Sequence, residues 1–217
     1  MKNKIFKKDH LYHVFNKSIA GYNIFSQEKN IQRFLSLLVY HNTTEPKQSF
    51  SRFCQNNGTT FYYSKKNMLL PSEFSGIKIL AYCVMPDHYH LVCKILKPDF
   101  FSKYISDVEN SYTRYFNIKY HRKGPLWQSR MKAKIIFSDF LFSHVVRYVH
   151  LNPTTKSLVQ KPEQWKFSSY SEYITNPTLL KSTPEFVTSS TQSFKDFTEN
   201  QIEYQRTLRR IKKLKID

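Results

Sequence analysis

The chain has 217 residues, 16% of them aromatic, with 34 Lys and Arg against 16 Asp and Glu and a net charge of +18. That length carries one domain with a real core and room for an appendage, and the aromatic content argues against a disordered chain. The cationic excess points to a polyanionic partner such as nucleic acid, or else to a merely soluble basic protein; no apolar run nears the roughly 20 residues of a membrane span, and the basic N-terminus lacks a signal-peptide apolar core, so a cytoplasmic, nucleoid-associated protein with no membrane partner is expected.

Residues 10–17, HLYHVFNK, alternate and are rich in β-formers, which predicts a first strand with His10 and His13 on opposite faces. Ser26 is placed to cap a helix running to about Tyr40, with Phe34, Leu35, Leu38 and Val39 at helical spacing. Residues 41–75 carry NTTEPKQ, QNNGTT and PSEFSG around short pieces such as FYY at 61–63, and read as an irregular insertion with a helical turn near 47–55. Residues 77–96, IKILAYCVMPDHYHLVCKIL, are two apolar runs around Met85-Pro86-Asp87, a β-hairpin. Cys83 and Cys93 lie within it as small buried hydrophobes; with Cys54 they make three cysteines and no CxxC, which argues against a disulfide framework or a cysteine-rich zinc site.

Past Pro98, residues 99–120 predict a helix whose stripe of Phe101, Tyr104, Ile105, Val108, Tyr112, Tyr115 and Phe116 belongs in a core. Gly124-Pro125 marks a turn, and residues 132–137 alternate as a strand. Ser138 or Asp139 can cap the next helix, 139–152, which Pro153 ends. QWKFSSYSEY at 164–173 reads as a packed irregular segment. Polarity rises after Asn176-Pro177, and residues 194–217 predict a charged helix with Arg206, Arg209, Arg210, Lys212, Lys213 and Lys215, which either clamps DNA or is simply solvated. The order βαββαβ is that of a ferredoxin-like α+β sandwich with an extra helix at its C-terminal side. The expected division is a domain over 1–176, interrupted by the insertion at about 41–75, and a basic, largely helical tail over 177–217.

Side chains alternate across a strand, so Tyr89, Leu91, Cys93 and Ile95 share a core face while His88, His90, Val92 and Lys94 share the other. Two imidazoles at i, i+2 form either a polar surface face or a short-bite pair for one divalent metal. On the helix 139–152, Tyr148 and Asn152 lie one turn apart on one face, with His144 a turn earlier. Asn152 offers a carbonyl oxygen suited to Mg2+ or Mn2+ beside two imidazoles. A tyrosine hydroxyl, ordinarily with a pKa near 10, needs a neighbouring cation or base to act as a nucleophile. Arg122, Lys123, Arg130, Lys132 and Lys134 surround Trp127 and Gln128, a combination that suits backbone phosphates and base stacking, or else a solvated loop with one buried Trp.

Taken together, MPDHYHLV, SYTRYFN at 111–117, GPLWQSRMKAKII at 124–136 and RYVHLNP at 147–153 resemble the REP-associated tyrosine transposases of the single-tyrosine HUH superfamily, with its IS200-like domain. The motifs occur in family order and cover roughly residues 8–175. The resemblance implies an HUH endonuclease fold, with His88 and His90 as metal ligands, Asn152 as a third ligand borne on a helix and Tyr148 as the catalytic tyrosine. It implies DNA contacts by Gln128 and Arg130, to which Arg114, Arg122, Lys123, Trp127, Lys132 and Lys134 are added. His144 has no counterpart in it, and the insertion and the tail fall outside it. The implied reaction is cleavage and rejoining of single-stranded DNA, presented beside a hairpin or palindromic repeat, through a 5′-phosphotyrosine, by a monomer or homodimer using Mg2+ or Mn2+. Two other readings are a catalytically silent hairpin-binding protein or repressor and an RNA-binding ferredoxin-like domain. The intact quartet His88, His90, Tyr148 and Asn152 argues against the first, and the absence of an RNP-like aromatic run argues against the second.

Overall fold

Along β1 (Leu11–Lys17), Tyr12, Val14 and Asn16 alternate with His13, Phe15 and Lys17, and this period of two sorts the sheet into two faces. The structure, a computed structural model, describes residues 6–43, 48–58, 68–69, 72–181, 183 and 190–214, with side chains to Ile211. The FYY piece at 61–63, Lys215 and the side chains of Lys212 and Lys213 lie outside the described residues. Met1–Leu80 with Pro86–Ile135 form one compact unit, and Ala81–Met85 with Ile136–Asp217 form a second.

The sheet has four strands in the order β2-β3-β1-β4, with β2 at Ile77–Val84, β3 at His88–Ile95 and β4 at Lys132–Ile136. β1 runs antiparallel to β3 from Leu11 opposite Lys94 to Lys17 opposite His88. With α1 (Glu28–His41) after β1 and α3 (Pro98–Lys119) after β3, this is the ferredoxin-like order expected from the sequence. The insertion contributes α2 (Phe50–Asn56), capped by the Ser49 hydroxyl.

In the first unit, Val14, Tyr89, Leu91 and Cys93 are fully buried on the helix-covered face. Phe34 of α1 lies 4.9 Å from the Tyr89 ring, and the Tyr104 and Tyr112 hydroxyls of α3 donate to the carbonyls of Leu38 and Ile24 at 2.9 and 2.8 Å. Each such apolar side chain contributes about 1.5–3 kcal/mol. Gly76, before β2, is required by close approach, since a Cβ there would lie 1.9 Å from the Phe100 ring. The cap of α1 differs from expectation. Gln27 holds that position without a side-chain bond to the open amides of the helix, while the Ser26 amide donates to Asn23 and closes the preceding turn.

The second unit is built on α4 (Asp139–Thr155), whose Ser138 hydroxyl accepts from the Leu141 amide at 3.2 Å. Pro153 does not stop the helix at Asn152. The helix runs on to Thr155, with the Lys156 amide donating to the Asn152 carbonyl at 3.0 Å. A proline in the last turn removes one bond and leaves the remaining ones intact. Beyond it lie α5 (Tyr170–Thr175), α6 (Pro177–Lys181), α7 (Thr191–Glu199) and α8 (Ile202–Leu214). The segment at 164–173 is packed: the Val84 amide donates to Phe167, the Ser169 amide to Tyr82 and the Trp165 indole to Val84, all at 3.0 Å. These bonds occupy backbone groups at the end of β2 that an edge strand would otherwise leave exposed. No described helix is long and apolar enough to cross a membrane.

Candidate active site

The first unit carries the two histidines on the sheet face opposite Tyr89. β3 alternation puts His88 and His90 there, and the β1 register adds His13, Phe15 and Lys17. The His88 and His90 rings stand edge to face with centroids 5.0 Å apart. His88 Nδ1 donates to Asp87 Oδ1 at 2.6 Å, and Lys17 lies 3.6 Å from the other Asp87 oxygen. That bond puts the His88 proton on Nδ1 and the lone pair on Nε2, the tautomer a metal-binding histidine needs. His90 Nδ1 shares a proton with His13 Nε2 across 2.9 Å.

His13 is the residue that strand alternation alone did not bring into this group. Burial, then the nearby Lys134 charge, lowers its pKa to about 4, so it is neutral and able to accept the His90 proton. Lys134 therefore brings positive charge to the histidine face. Among the described residues, no group of three or more His, Cys, Asp or Glu side chains is arranged to hold a metal ion. Two oriented imidazoles still suit a divalent cation whose remaining ligands are an amide oxygen, water or a phosphate.

Tyr89, between the histidines, points the other way. Its hydroxyl donates to Glu109 Oε1 at 2.8 Å, as does Asn16 Nδ2, also at 2.8 Å. Asn16 Nδ2 also reaches the Ser129 carbonyl at 2.9 Å. Glu109 is buried on α3, and burial raises its carboxyl to about 7, although its two donors pull the other way. Sequence reasoning missed it, yet a signal existed: Glu109 falls on the apolar stripe between Ile105, Val108 and Tyr112. A carboxylate at a core position needs partners.

In the second unit, Tyr148 is 44% exposed on α4. Asn152, one turn on, is 6% exposed, and its Nδ2 donates to the Tyr148 carbonyl at 2.9 Å. That bond engages Nδ2, and among the described residues Oδ1 has no hydrogen-bond partner. His144 sits apart from this pair in chemistry, accepting from Arg147 at 2.6 Å with its ring 4.3 Å from Phe140. The end of α4 is held by the tail: Arg206 Nε donates to the Thr154 carbonyl at 3.1 Å and an Arg209 nitrogen to Thr155 at 2.8 Å. Cations at a helix C-terminus satisfy its open carbonyls.

Of the expected DNA contacts, Arg114, Lys123, Gln128, Arg130, Lys132 and Lys134 are exposed. Arg122 is half-buried and staples the loop by donating to Asn117 and to the carbonyls of Gly124 and Pro125. Trp127 differs from the rest. Its ring packs among Phe25, Phe34, Tyr89 and Tyr112, and its indole N–H donates to the Glu109 carbonyl at 3.3 Å.

Several known proteins are similar to this chain. A Haemophilus influenzae protein that bears the name of a REP-associated tyrosine transposase is 25% identical over 108 residues, 45% of this chain and 61% of that protein. The chain thus spans less than two thirds of that relative's length. The solved structure of a REP-associated tyrosine transposase bound to a REP hairpin superposes with a TM-score of 0.57 at 15% identity, covering 81% of this chain and 86% of the other, a likeness of fold. The sequence model of the family described as Transposase IS200 like matches residues 35–152. More than half of the chain, including both histidines, Tyr148 and Asn152, lies in that match, and the chain belongs to the IS200-like transposase family.

Proposed function

We propose that the chain is a metal-dependent single-strand DNA endonuclease and strand transferase, a tyrosine transposase acting at hairpin or palindromic repeats. The observation that carries this reading is the histidine pair, in which each Nδ1 is engaged by a protein partner, leaving Nε2 as the atom that would ligate a cation. His88 and His90 would hold Mg2+ or Mn2+ with the Asn152 carbonyl oxygen as a third ligand. A cation bound there supplies Lewis acidity toward a phosphate oxygen.

The residues of the chain do the rest. The Tyr148 oxygen attacks phosphorus, the bond from phosphorus to O3′ breaks, and the tyrosine proton ends on the departing O3′. The products are a 5′-phosphotyrosine and a free 3′-OH. A different 3′-OH reverses the step and joins strands, with bond energy conserved in the tyrosine ester. Lys132 and Lys134 offset phosphate charge beside the histidine face, and Gln128 and Arg130 contact the strand from the loop that Trp127 anchors. Arg122 and Lys123 add charge to that surface, Arg114 on α3 would meet the DNA farther along the strand, and the net charge of +18 makes affinity salt-dependent.

The test is a hairpin oligonucleotide with a single-stranded extension, incubated with Mn2+ and run on a denaturing gel. The wild type is expected to form a covalent adduct and Tyr148→Phe to bind without one. Adduct formation by Tyr148→Phe would rule out the nucleophile. Hairpin binding by the wild type with neither adduct nor nick would make the protein a hairpin-binding module.

A further inference from the structure

The insertion lines one side of an open cavity. Between α1, α2 and α3 lies a space of about 530 Å3. Its wall carries Arg33 from α1, Arg114 and Lys119 from α3, and the Ser51 hydroxyl from α2. These helices lie on the Tyr89 face of the sheet, the side away from the histidines. No Asp or Glu is among the described lining residues, and among the described residues none of the three cations is in an ion pair.

Two of the cations, Arg33 and Lys119, are held by neutral groups. Arg33 donates to Ser51 Oγ at 3.1 Å, and its guanidinium lies 4.2 Å from the Phe50 ring centre and 5.2 Å from that of Tyr115. Its Nε is buried with no hydrogen-bond partner among the described residues. Lys119 donates to the amide oxygens of Gln27 and Asn30 and lies 5.7 and 5.1 Å from the Tyr115 and Tyr120 ring centres. A guanidinium fixed between two rings keeps its planar fork preorganised for an oxyanion. Three uncompensated cations around a concave wall focus field and leave the site short of negative charge.

We infer that this cavity is a second phosphate-binding site, which takes a backbone phosphate of the DNA strand at a place the tyrosine chemistry does not use. The inference rests on the reading of the protein as DNA-binding, but not on cleavage. Phe50 and Ser51, on α2, form the outer wall of the cavity. In the chain, the basic residues Lys134, Lys132, Arg130, Lys123 and Arg122 lead from β4 back through the 120–131 loop to α3.

The experiment measures noncovalent binding by fluorescence anisotropy, in a Tyr148→Phe background, to mixed-sequence single-stranded DNA of about 40 nucleotides, several site lengths. The slope of log affinity against log salt is compared for three proteins: the background itself, Arg114→Gln/Lys119→Gln, and a charge-matched control, Lys8→Gln/Lys97→Gln, at exposed positions away from the cavity. Loss of about one to two phosphate contacts is expected to reduce the slope by about one to two in the cavity variant and by clearly less in the control. Equal slopes in the background and the cavity variant, or equal loss in the control, would overturn the inference. A parallel arm follows thermal stabilisation by inorganic pyrophosphate. If pyrophosphate stabilises the background protein and not the cavity variant while the DNA slope stays put, the cavity serves small phosphates and the DNA assignment fails. Failure of the adduct assay with an intact slope difference would instead remove only the endonuclease reading.

Discussion

The Tyr89 hydroxyl donates to Glu109 Oε1 at 2.8 Å, from the residue that separates the two histidines of β3. One strand thus presents imidazoles on one face and hangs a buried acid network from the other. Asn16, Tyr89 and the carbonyls of Glu109 and Ser129 tie β1, β3, α3 and the Trp127 loop together behind the histidine pair.

That network gives the first prediction, a stability that depends on pH. Glu109 has its pKa raised from 4.5 to about 7, so between these values the folded state binds the proton and the unfolded state does not. Stability from this group is therefore highest below pH 4.5, falls as pH rises to about 7 and stays lower above, by about 3 kcal/mol. Glu109→Gln removes the titration and keeps an acceptor. In urea unfolding, the wild type minus variant difference is expected to fall between pH 5 and pH 8. The difference is the right quantity because His13 and His150, held neutral at pKa values of about 4 and about 3, slope the other way. Parallel curves for the two proteins would rule out titration of Glu109 in this range.

Asp87 and His13 set the orientation of His88 and His90, and neither contacts the cation in the proposed site. Loss of such an outer partner typically weakens metal affinity about 10–100-fold. Asp87→Asn and His13→Leu are each expected to weaken Mn2+ binding by that factor in calorimetry, and His90→Ala to abolish it. Unchanged Mn2+ affinity in His13→Leu would mean that the 2.9 Å contact between the two rings does not orient the ligand.

Arg206 and Arg209 hold the last carbonyls of the helix that carries Tyr148. Either substitution to Ala is expected to cost about 1 kcal/mol, since an arginine bond to a half-exposed helix terminus is worth roughly that. Hydrogen exchange at the amides of 156–158 should accelerate in both variants. Protection equal to the wild type would make the tail a solvated helix with no hold on α4.

Trp127 separates anchoring from base stacking. Trp127→Ala should lose about 3–5 kcal/mol of stability, as expected for a large aromatic removed from a core. Trp127→Phe keeps most of the packing and should keep the DNA affinity of the wild type. A loss of about 1–3 kcal/mol in DNA binding by a stably folded Trp127→Phe would assign the ring to a stacked base instead.

Much of this architecture was legible in the residues alone. Alternation in IKILAYCVMPDHYHLVCKIL separated the histidine face from the Tyr89 face, because a period of two is imposed by the backbone itself. The stripe on α3 marked a core helix for the same reason at period 3.6. Local punctuation was less reliable. Ser26 precedes the actual cap by one residue and the helix expected to end at Asn152 runs three residues further, to Thr155, since cap choice depends on how the flanking chain is tied down.

By itself, then, the amino-acid sequence determined the order of elements, the face each strand residue takes and the spacing of Tyr148 and Asn152, all consequences of local geometry. Tertiary structure alone decided which distant partner meets each side chain. His13 meets His90 across 77 residues, Asn16 meets Glu109 across 93 and Arg206 meets Thr154 across 52. No local period encodes such pairs; they follow from the strand order β2-β3-β1-β4 and from helix packing, which turn the core position of Glu109 into a buried acid and make the α2 insertion the wall of a cationic cavity.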